Sequence, residues 1–314
     1  MPADPAAAIR PPPHRLMFRS RSTTQPAPSS TGAGLATAPQ DLQARLLHHL
    51  NQLVHPRHAS WDAIGLLGVR TAIREVLGRY GAVEDQAFED RGVAGHNLIL
   101  RLPGLHPERE PLLLGAHYDA AIHCPGADDN ATGVATLLEL GRALAERPSP
   151  RPVWLVAFDQ EESGLHGSRA LARRLQAEGQ RLHLMLSLEM LGYTSTQQRY
   201  PLAAMRHLYG ERGDFIAVVG NARAALPMLT LWRSLARSVP TKLLPVLAGG
   251  QQLPVTRRSD HSPFWDAGYN AVMVTDTSFL RNPNYHQPSD TIASLDLPFH
   301  AAVTRGLEAA IHAL

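Results

Sequence analysis

Residues 111–147 read PLLLGAHYDAAIHCPGADDNATGVATLLELGRALAER. The apolar run from Pro111 to Ala116 has the length and composition of a buried strand. It stops at His117-Tyr118-Asp119, crosses a loop containing Pro125-Gly126, and gives way to a helical pattern over Thr132 to Arg147. The unit then repeats. Pro152 to Phe158 precedes a helix predicted over Leu165 to Ala177, and Leu182 to Leu188 forms a third apolar run. Buried strands alternating with amphipathic helices predict an α/β fold, its sheet mostly parallel and covered by helices on both faces.

Upstream, Leu42, Leu46, Leu50 and Leu53 recur at helical spacing within Asp41 to Val54, and a second helix is predicted over Val69 to Tyr80. Two strand-like runs, Val83 to Glu89 and His96 to Leu102, flank the turn residues Asp90-Arg91-Gly92. Downstream come strands at Phe215 to Val219 and Ala271 to Val274, with helices at Met228 to Val239 and Leu297 to Leu314. Residues 1–38 are rich in Pro, Ala and Ser and hold one acidic residue, Asp4. Such a segment buries too little apolar surface to offset its ordering entropy, so it reads as a disordered tail before a single domain over residues 39–314.

The 314 residues are 44% hydrophobic and 18% charged, and 30 basic residues against 28 acidic ones leave a net charge of +2. That balance gives no electrostatic footprint for nucleic acid. One cysteine, Cys124, excludes an internal disulfide. The tail has no apolar stretch of signal-peptide length and the chain no run of 18 apolar residues, which favours a cytoplasmic protein without a membrane span.

The polar residues collect where the strands end, the place at which open α/β sheets gather ligands. Leu112-Leu113-Leu114 leads to His117 and Asp119, then to Gly126-Ala127-Asp128-Asp129-Asn130. Val153 to Phe158 leads to Glu161-Glu162, Leu184 to Leu188 leads to Glu189, and Tyr285-His286 lies in the loop after the last strand. Imidazole and carboxylate together suit borderline divalent cations, and a carboxylate can bridge two of them. His117, Asp128, Glu162, Glu189 and His286 suffice as ligands for two zinc ions. The three carboxylates of that set and an ionised Glu161 balance the charge of the two cations. In the tandem Glu161-Glu162 one side chain can hold metal while the other takes the proton of a water acidified by a cation. Asp119, two residues after His117, can accept the second imidazole N–H.

His117-x-Asp119, Gly126-Ala127-Asp128-Asp129-Asn130-Ala131-Thr132-Gly133, Glu161-Glu162-x-Gly164-Leu165-x-Gly167-Ser168, Ser259-Asp260-His261 and Tyr285-His286-x-x-x-Asp290-Thr291 stand in one order. Together they resemble the M28 family of zinc peptidases over roughly residues 95–295. The resemblance implies a central mixed sheet flanked by helices and a metal-dependent exopeptidase, foremost an aminopeptidase. It also implies His117, Asp128, Glu162, Glu189 and His286 as metal ligands with Asp128 the bridge, Glu161 as general acid/base, and Tyr285 beside the developing oxyanion. Glu189 departs from the aspartate of many members.

Other readings are a one-zinc glutaminyl-cyclase-like aminoacyltransferase, a dinuclear carboxypeptidase, and a non-catalytic binding module. Asp129 and Asn130 read as caps of the following helix rather than as ligands. Asp260 and His261 read as pocket wall and Cys124 as a bystander. Arg257, Arg258 and Arg281 are candidate clamps for a peptide carboxylate.

Overall fold

The computed structural model describes residues 41–314, so the tail expected over residues 1–38 lies outside the described residues. In chain order the elements are α1 (Leu42–Leu53), α2 (Ala63–Leu77), β1 (Val83–Asp90), β2 (Val93–Leu102), β3 (Leu112–His117), α3 (Gly133–Glu146), β4 (Val153–Phe158) and α4 (His166–Ala177). They continue with β5 (Leu184–Glu189), α5 (Ala203–Tyr209), β6 (Ile216–Asn221), α6 (Ala225–Leu235), β7 (Thr241–Val246), α7 (His261–Asp266), β8 (Ala271–Thr275) and α8 (Leu297–Ala313).

The strands form one sheet in the order β1-β2-β4-β3-β5-β8-β6-β7. Its centre, β4-β3-β5-β8, is parallel. β2 runs antiparallel to β4 on one side, and the parallel pair β6–β7 runs antiparallel to β8 on the other. The sheet is therefore mixed with a parallel centre. β1 and β2 form the hairpin foreseen at Asp90-Arg91-Gly92, where Arg91 and Gly92 both take positive φ (54° and 80°), as a tight hairpin turn demands.

Alternate residues of each central strand enter different cores. Leu112, Leu114, Leu184, Leu186, Val272 and Val274 join one apolar cluster with residues of α1, α2, α3, α6 and α8. Leu113, Met185, Ala271 and Met273 join a second cluster with residues of α4 and α7. Period-two alternation with both faces apolar is the requirement of a sheet covered on both sides.

α2 starts at Ala63, earlier than the apolar pattern predicts. Ile64 and Leu67 in its first turns are exposed, so the buried stripe only becomes regular from Val69. Among the described residues no helix is long and apolar enough to cross a membrane.

Arg57, between α1 and α2, is 1% exposed and was not singled out by the sequence. Its guanidinium donates to the carbonyls of Tyr118 (2.7 Å), His55 (3.2 Å), Gly126 (2.7 Å) and Pro125. These bonds lash the start of the chain to the loop that follows β3. Arg57→Met leaves those carbonyls without their donor and removes a buried positive charge that faces Asp119, Asp290 and Asp129. The expected loss, read from urea unfolding, is about 3 kcal/mol or more; a change below about 1 kcal/mol would contradict it.

Candidate metal centre

The C-terminal ends of the parallel strands deliver the polar residues to one edge. His117 is the last residue of β3 and Glu189 the last of β5, while Glu161 and Glu162 follow β4 and His286 lies in the loop after β8. Gln160 (φ 59°), Met190 (φ 51°) and His286 (φ 55°) occupy the left-handed region. Residues with a Cβ adopt it only where the surroundings dictate it, commonly at functional sites. Two of these turns sit directly beside Glu161 and Glu189 and set where those side chains leave the backbone.

Two groups of ligand-type atoms result. His117, Glu161 and Glu189 offer atoms within 4.8 Å of one another, as do Asp129, Glu162 and His286. His117 Nε2 lies 3.2 Å from Asp129 Oδ1 and 3.7 Å from Glu189 Oε2. His286 Nε2 lies 3.2 Å from Asp129 Oδ2 and 3.0 Å from Glu162 Oε2. The two oxygens of one carboxylate thus face the two imidazoles. His117 Nε2, His286 Nε2, Asp129 Oδ1 and Glu162 Oε1 are buried and make no hydrogen bond among the described residues. Buried polar atoms left without hydrogen bonds call for another partner. Ligands about 2.1 Å from a tetrahedral divalent cation stand roughly 3.4 Å apart, close to these separations. The donor set fits two such cations.

Asp128 is not the carboxylate between the imidazoles. Its Oδ1 accepts the Gly192 N–H (2.9 Å) and its Oδ2 accepts from Asn282 Nδ2 (2.7 Å), so both oxygens point away from the histidines. Asp290 decides this orientation by accepting the N–H of Asp128 (2.9 Å) and of Asp129 (3.1 Å), one on each oxygen. Asn130 fixes the other side, donating to the Leu188 carbonyl and accepting the Met190 and Gly133 N–H groups. Asn130 does bond at the start of α3, as expected of a capping residue, whereas Asp129 does not serve as a cap. The residue set aside as a ligand stands at the centre, and the neighbour chosen as bridge buttresses the loop.

Glu161 and Glu162 divide as their tandem position allows. Glu162 reaches His286, whereas Glu161 has no oxygen within 4.0 Å of either imidazole while staying within 4.8 Å of the ligand atoms of His117 and Glu189. The Asp119 carboxylate accepts the backbone N–H of Glu161 and of Glu162, each at 3.1 Å. Asp119 also faces His117, but Nδ1 is nearer its backbone carbonyl (3.2 Å) than its Oδ1 (3.4 Å). The tautomer-fixing acceptor is thus mainly that carbonyl, and the carboxylate's clearest task is to hold the Glu161-Glu162 turn. Ser259 Oγ donates to Glu189 Oε2 at 2.7 Å and orients it, a contact the sequence did not disclose.

Burial opposes charge on His117, yet the carboxylates of Glu161, Asp119, Asp129 and Glu189 hold its pKa well above the usual imidazole value. Burial likewise opposes charge on His286, whose pKa rises to about 10 beside Asp129 and Glu162. Burial, with Asp129 adding repulsion, lifts Glu162 to about 7. Burial also carries Glu161 well above its ordinary range, with Glu189 and Glu162 reinforcing the shift against His117. Carboxylates crowded in this way ionise together only when positive charge compensates them.

Beside the cluster lies an apolar pocket walled by Tyr200, Met205, Phe215, Leu244, Met273 and Phe279, with Glu189 and Tyr285 at its junction with the metal centre. Tyr285 stacks on His286, ring centres 3.8 Å apart. Of the candidate clamps, Arg257 is bound to both oxygens of Asp266, and buried Arg281 donates to Gln198 and to the Phe215 and Tyr193 carbonyls. Arg258 alone of the three lines the pocket. Asp260 and His261 are buried; burial lifts Asp260 to about 7 and lowers His261 to about 3, the latter bonded to the Thr256 carbonyl. Cys124 is buried with its Sγ donating to the Gln287 carbonyl.

A family model, Peptidase family M28, matches residues 97–311. The chain belongs to this family. The family assignment makes the chain a peptidase. A protein of Escherichia coli described as uncharacterized protein YfbL is 36% identical over 86% of each chain. Aminopeptidase YwaD of Bacillus subtilis is 30% identical over 56% of this chain and 35% of its own length. Leucine aminopeptidase 1 of two fungi is likewise spanned over only about half of its length. Among solved structures, the LapA aminopeptidase of Legionella pneumophila superposes with a TM-score of 0.63 at 19% identity, covering 86% of this chain and 68% of that one. Glutaminyl cyclase of Bacteroides thetaiotaomicron gives 0.64 at 16% identity, covering 88% and 99%. At these identities the two superpositions show the shared α/β fold of this M28 peptidase.

Proposed function

We propose that this M28 peptidase is an aminopeptidase with two zinc ions, removing an amino-terminal residue with a large apolar side chain. One observation carries the reading: two sets of ligand atoms meet on opposite oxygens of Asp129. His117, Asp129 and Glu189 would hold one cation, and Asp129, Glu162 and His286 the other. Asp129, Glu162, Glu189 and Glu161 supply the four negative charges that balance two divalent cations. Bound zinc supplies Lewis acidity toward the scissile carbonyl and lowers the pKa of water.

The chain's own groups do the rest. Glu161, set back from the imidazoles, takes the proton of the attacking water at its carboxylate and gives it to the departing amine. Asp119 keeps the Glu161-Glu162 turn in place and Ser259 keeps Glu189 aimed. Tyr285, braced against His286, is the residue whose hydroxyl would donate to the carbonyl oxygen as charge develops there. The carboxylates attract a free α-amine, and the adjoining pocket takes the side chain. Of the three candidate carboxylate clamps, Arg257 and Arg281 are committed to other partners and Arg258 stands in the side-chain pocket, so the end that is cleaved is left to the substrate panel. His117 and Glu189, beyond the set one metal needs, speak for two cations over a one-zinc cyclase.

The test is a panel of leucyl-p-nitroanilide, a blocked peptide with a free carboxyl terminus, and a glutaminyl peptide, assayed with and without a chelator. Chelator-sensitive release of the amino-terminal residue is expected, foremost from the leucyl substrate, with no release from the carboxyl terminus and no pyroglutamate. Release of a carboxyl-terminal residue, or pyroglutamate formation without hydrolysis, would overturn the reading.

A further inference from the structure

The side-chain pocket is apolar in its walls but carries two cations, Lys242 on β7 and Arg258 on the segment before α7. Lys242 is the only lysine in a chain whose other 29 basic residues are arginines. Its Nζ stands 5.9 Å from the centre of the Phe215 ring, and the Arg258 guanidinium carbon 4.9 Å from that of Phe279. Both rings also line the pocket. Among the described residues no acidic oxygen lies within 4.0 Å of either cation. A cation resting on an aromatic face keeps its full charge and its free N–H donors. The one acidic residue on the wall is Glu189, engaged by Ser259 and facing His117. Whatever side chain enters therefore meets apolar walls and unneutralised positive charge.

We propose that Lys242 and Arg258 make this pocket discriminate by charge, so that it accepts a glutamyl first residue and rejects lysyl and arginyl ones. The proposal rests on the aminopeptidase reading and adds to it a substrate class. Glutamyl and lysyl side chains both have methylene stems that suit the apolar walls, so the preference between them isolates the sign of the end group. Charges of one sign about 6 Å apart at a partly wetted site repel by enough to cost roughly tenfold to a hundredfold in equilibrium or rate.

The experiment compares kcat/KM for glutamyl-, lysyl- and leucyl-p-nitroanilide with the zinc-loaded full chain. Glutamyl is expected to exceed lysyl at least tenfold at low ionic strength, and the ratio is expected to shrink in 0.5 M salt as the charges are screened. In the K242M/R258M double variant the glutamyl-to-lysyl ratio is expected to fall at least tenfold, and in K242E/R258M, which leaves a net negative charge, it is expected to fall further. The salt series needs no variant and so is independent of folding defects. Equal or better turnover of the lysyl substrate by the unmodified enzyme, or an unchanged ratio in the double variant, overturns the proposal. Leucyl turnover without charge discrimination overturns only this proposal, whereas no leucyl turnover at all overturns the aminopeptidase reading and this proposal with it.

Discussion

Asp129→Asn is expected to reduce bound zinc from about two ions per chain to one or none and to lower kcat/KM by at least about 10³-fold, roughly 4 kcal/mol of transition-state stabilisation. Asp129 faces both imidazoles, so neutralising it removes the one charge that two cations bound there would share. Asp128→Asn is the informative comparison. The Asp128 carboxyl is driven well up by burial and by neighbouring Asp276, itself raised to about 6. An amide at position 128 takes no charge from between the imidazoles and preserves an acceptor for the Gly192 N–H, while its nitrogen displaces the acceptor of Asn282 Nδ2. It is expected to keep about two zinc ions and to lose less than about tenfold in activity. Metal analysis by atomic emission on the two purified variants reads the difference directly. The reverse pattern, with Asp128→Asn metal-poor and Asp129→Asn intact, would restore the bridge implied by the sequence.

Glu161→Gln is expected to leave zinc near two per chain while lowering turnover by about 10³-fold or more, within the range of general acid–base catalysis. The amide matches the carboxylate in size and cannot take a proton from water. Its backbone N–H still donates to Asp119, so the turn survives. Glu162→Gln provides the contrast, because Glu162 is 3.0 Å from His286 and its loss weakens metal binding as well as turnover. Steady-state kinetics together with metal content separate the two. Near-normal turnover in Glu161→Gln, or loss of zinc from it, would remove Glu161 from the proton-transfer role.

The central strands were legible because a doubly covered parallel strand is a continuous apolar run, and β3, β4 and β5 are such runs ending in His117, Phe158 and Glu189. The elements that went unread lack that signal. β7 is an edge strand containing Lys242 and Pro245, α5 buries none of its residues, and α7 spans six residues. The convergence of His117, Glu161, Glu162, Glu189 and His286 on one sheet edge was also readable, since strand ends in such sheets share that edge. Choosing between Asp128 and Asp129 was not. Two adjacent carboxylates in an irregular loop differ only in which way the backbone turns them, and Asp290 and Asn282, 162 and 154 positions from Asp128, set that turn. Arg57 was hidden for the same reason, because a lone arginine between elements reads as solvated until its carbonyl partners are placed, and the Ser259 motif did not disclose that its hydroxyl reaches Glu189.

The joining of two cation sites by Asp129 is tested most directly by anomalous X-ray diffraction at the zinc edge from crystals of the metal-loaded chain. It predicts two peaks about 3.5 Å apart, one beside His117 and Glu189 and the other beside Glu162 and His286, with one oxygen of Asp129 toward each. A single peak, or two peaks contacted by Asp128 instead, would contradict it.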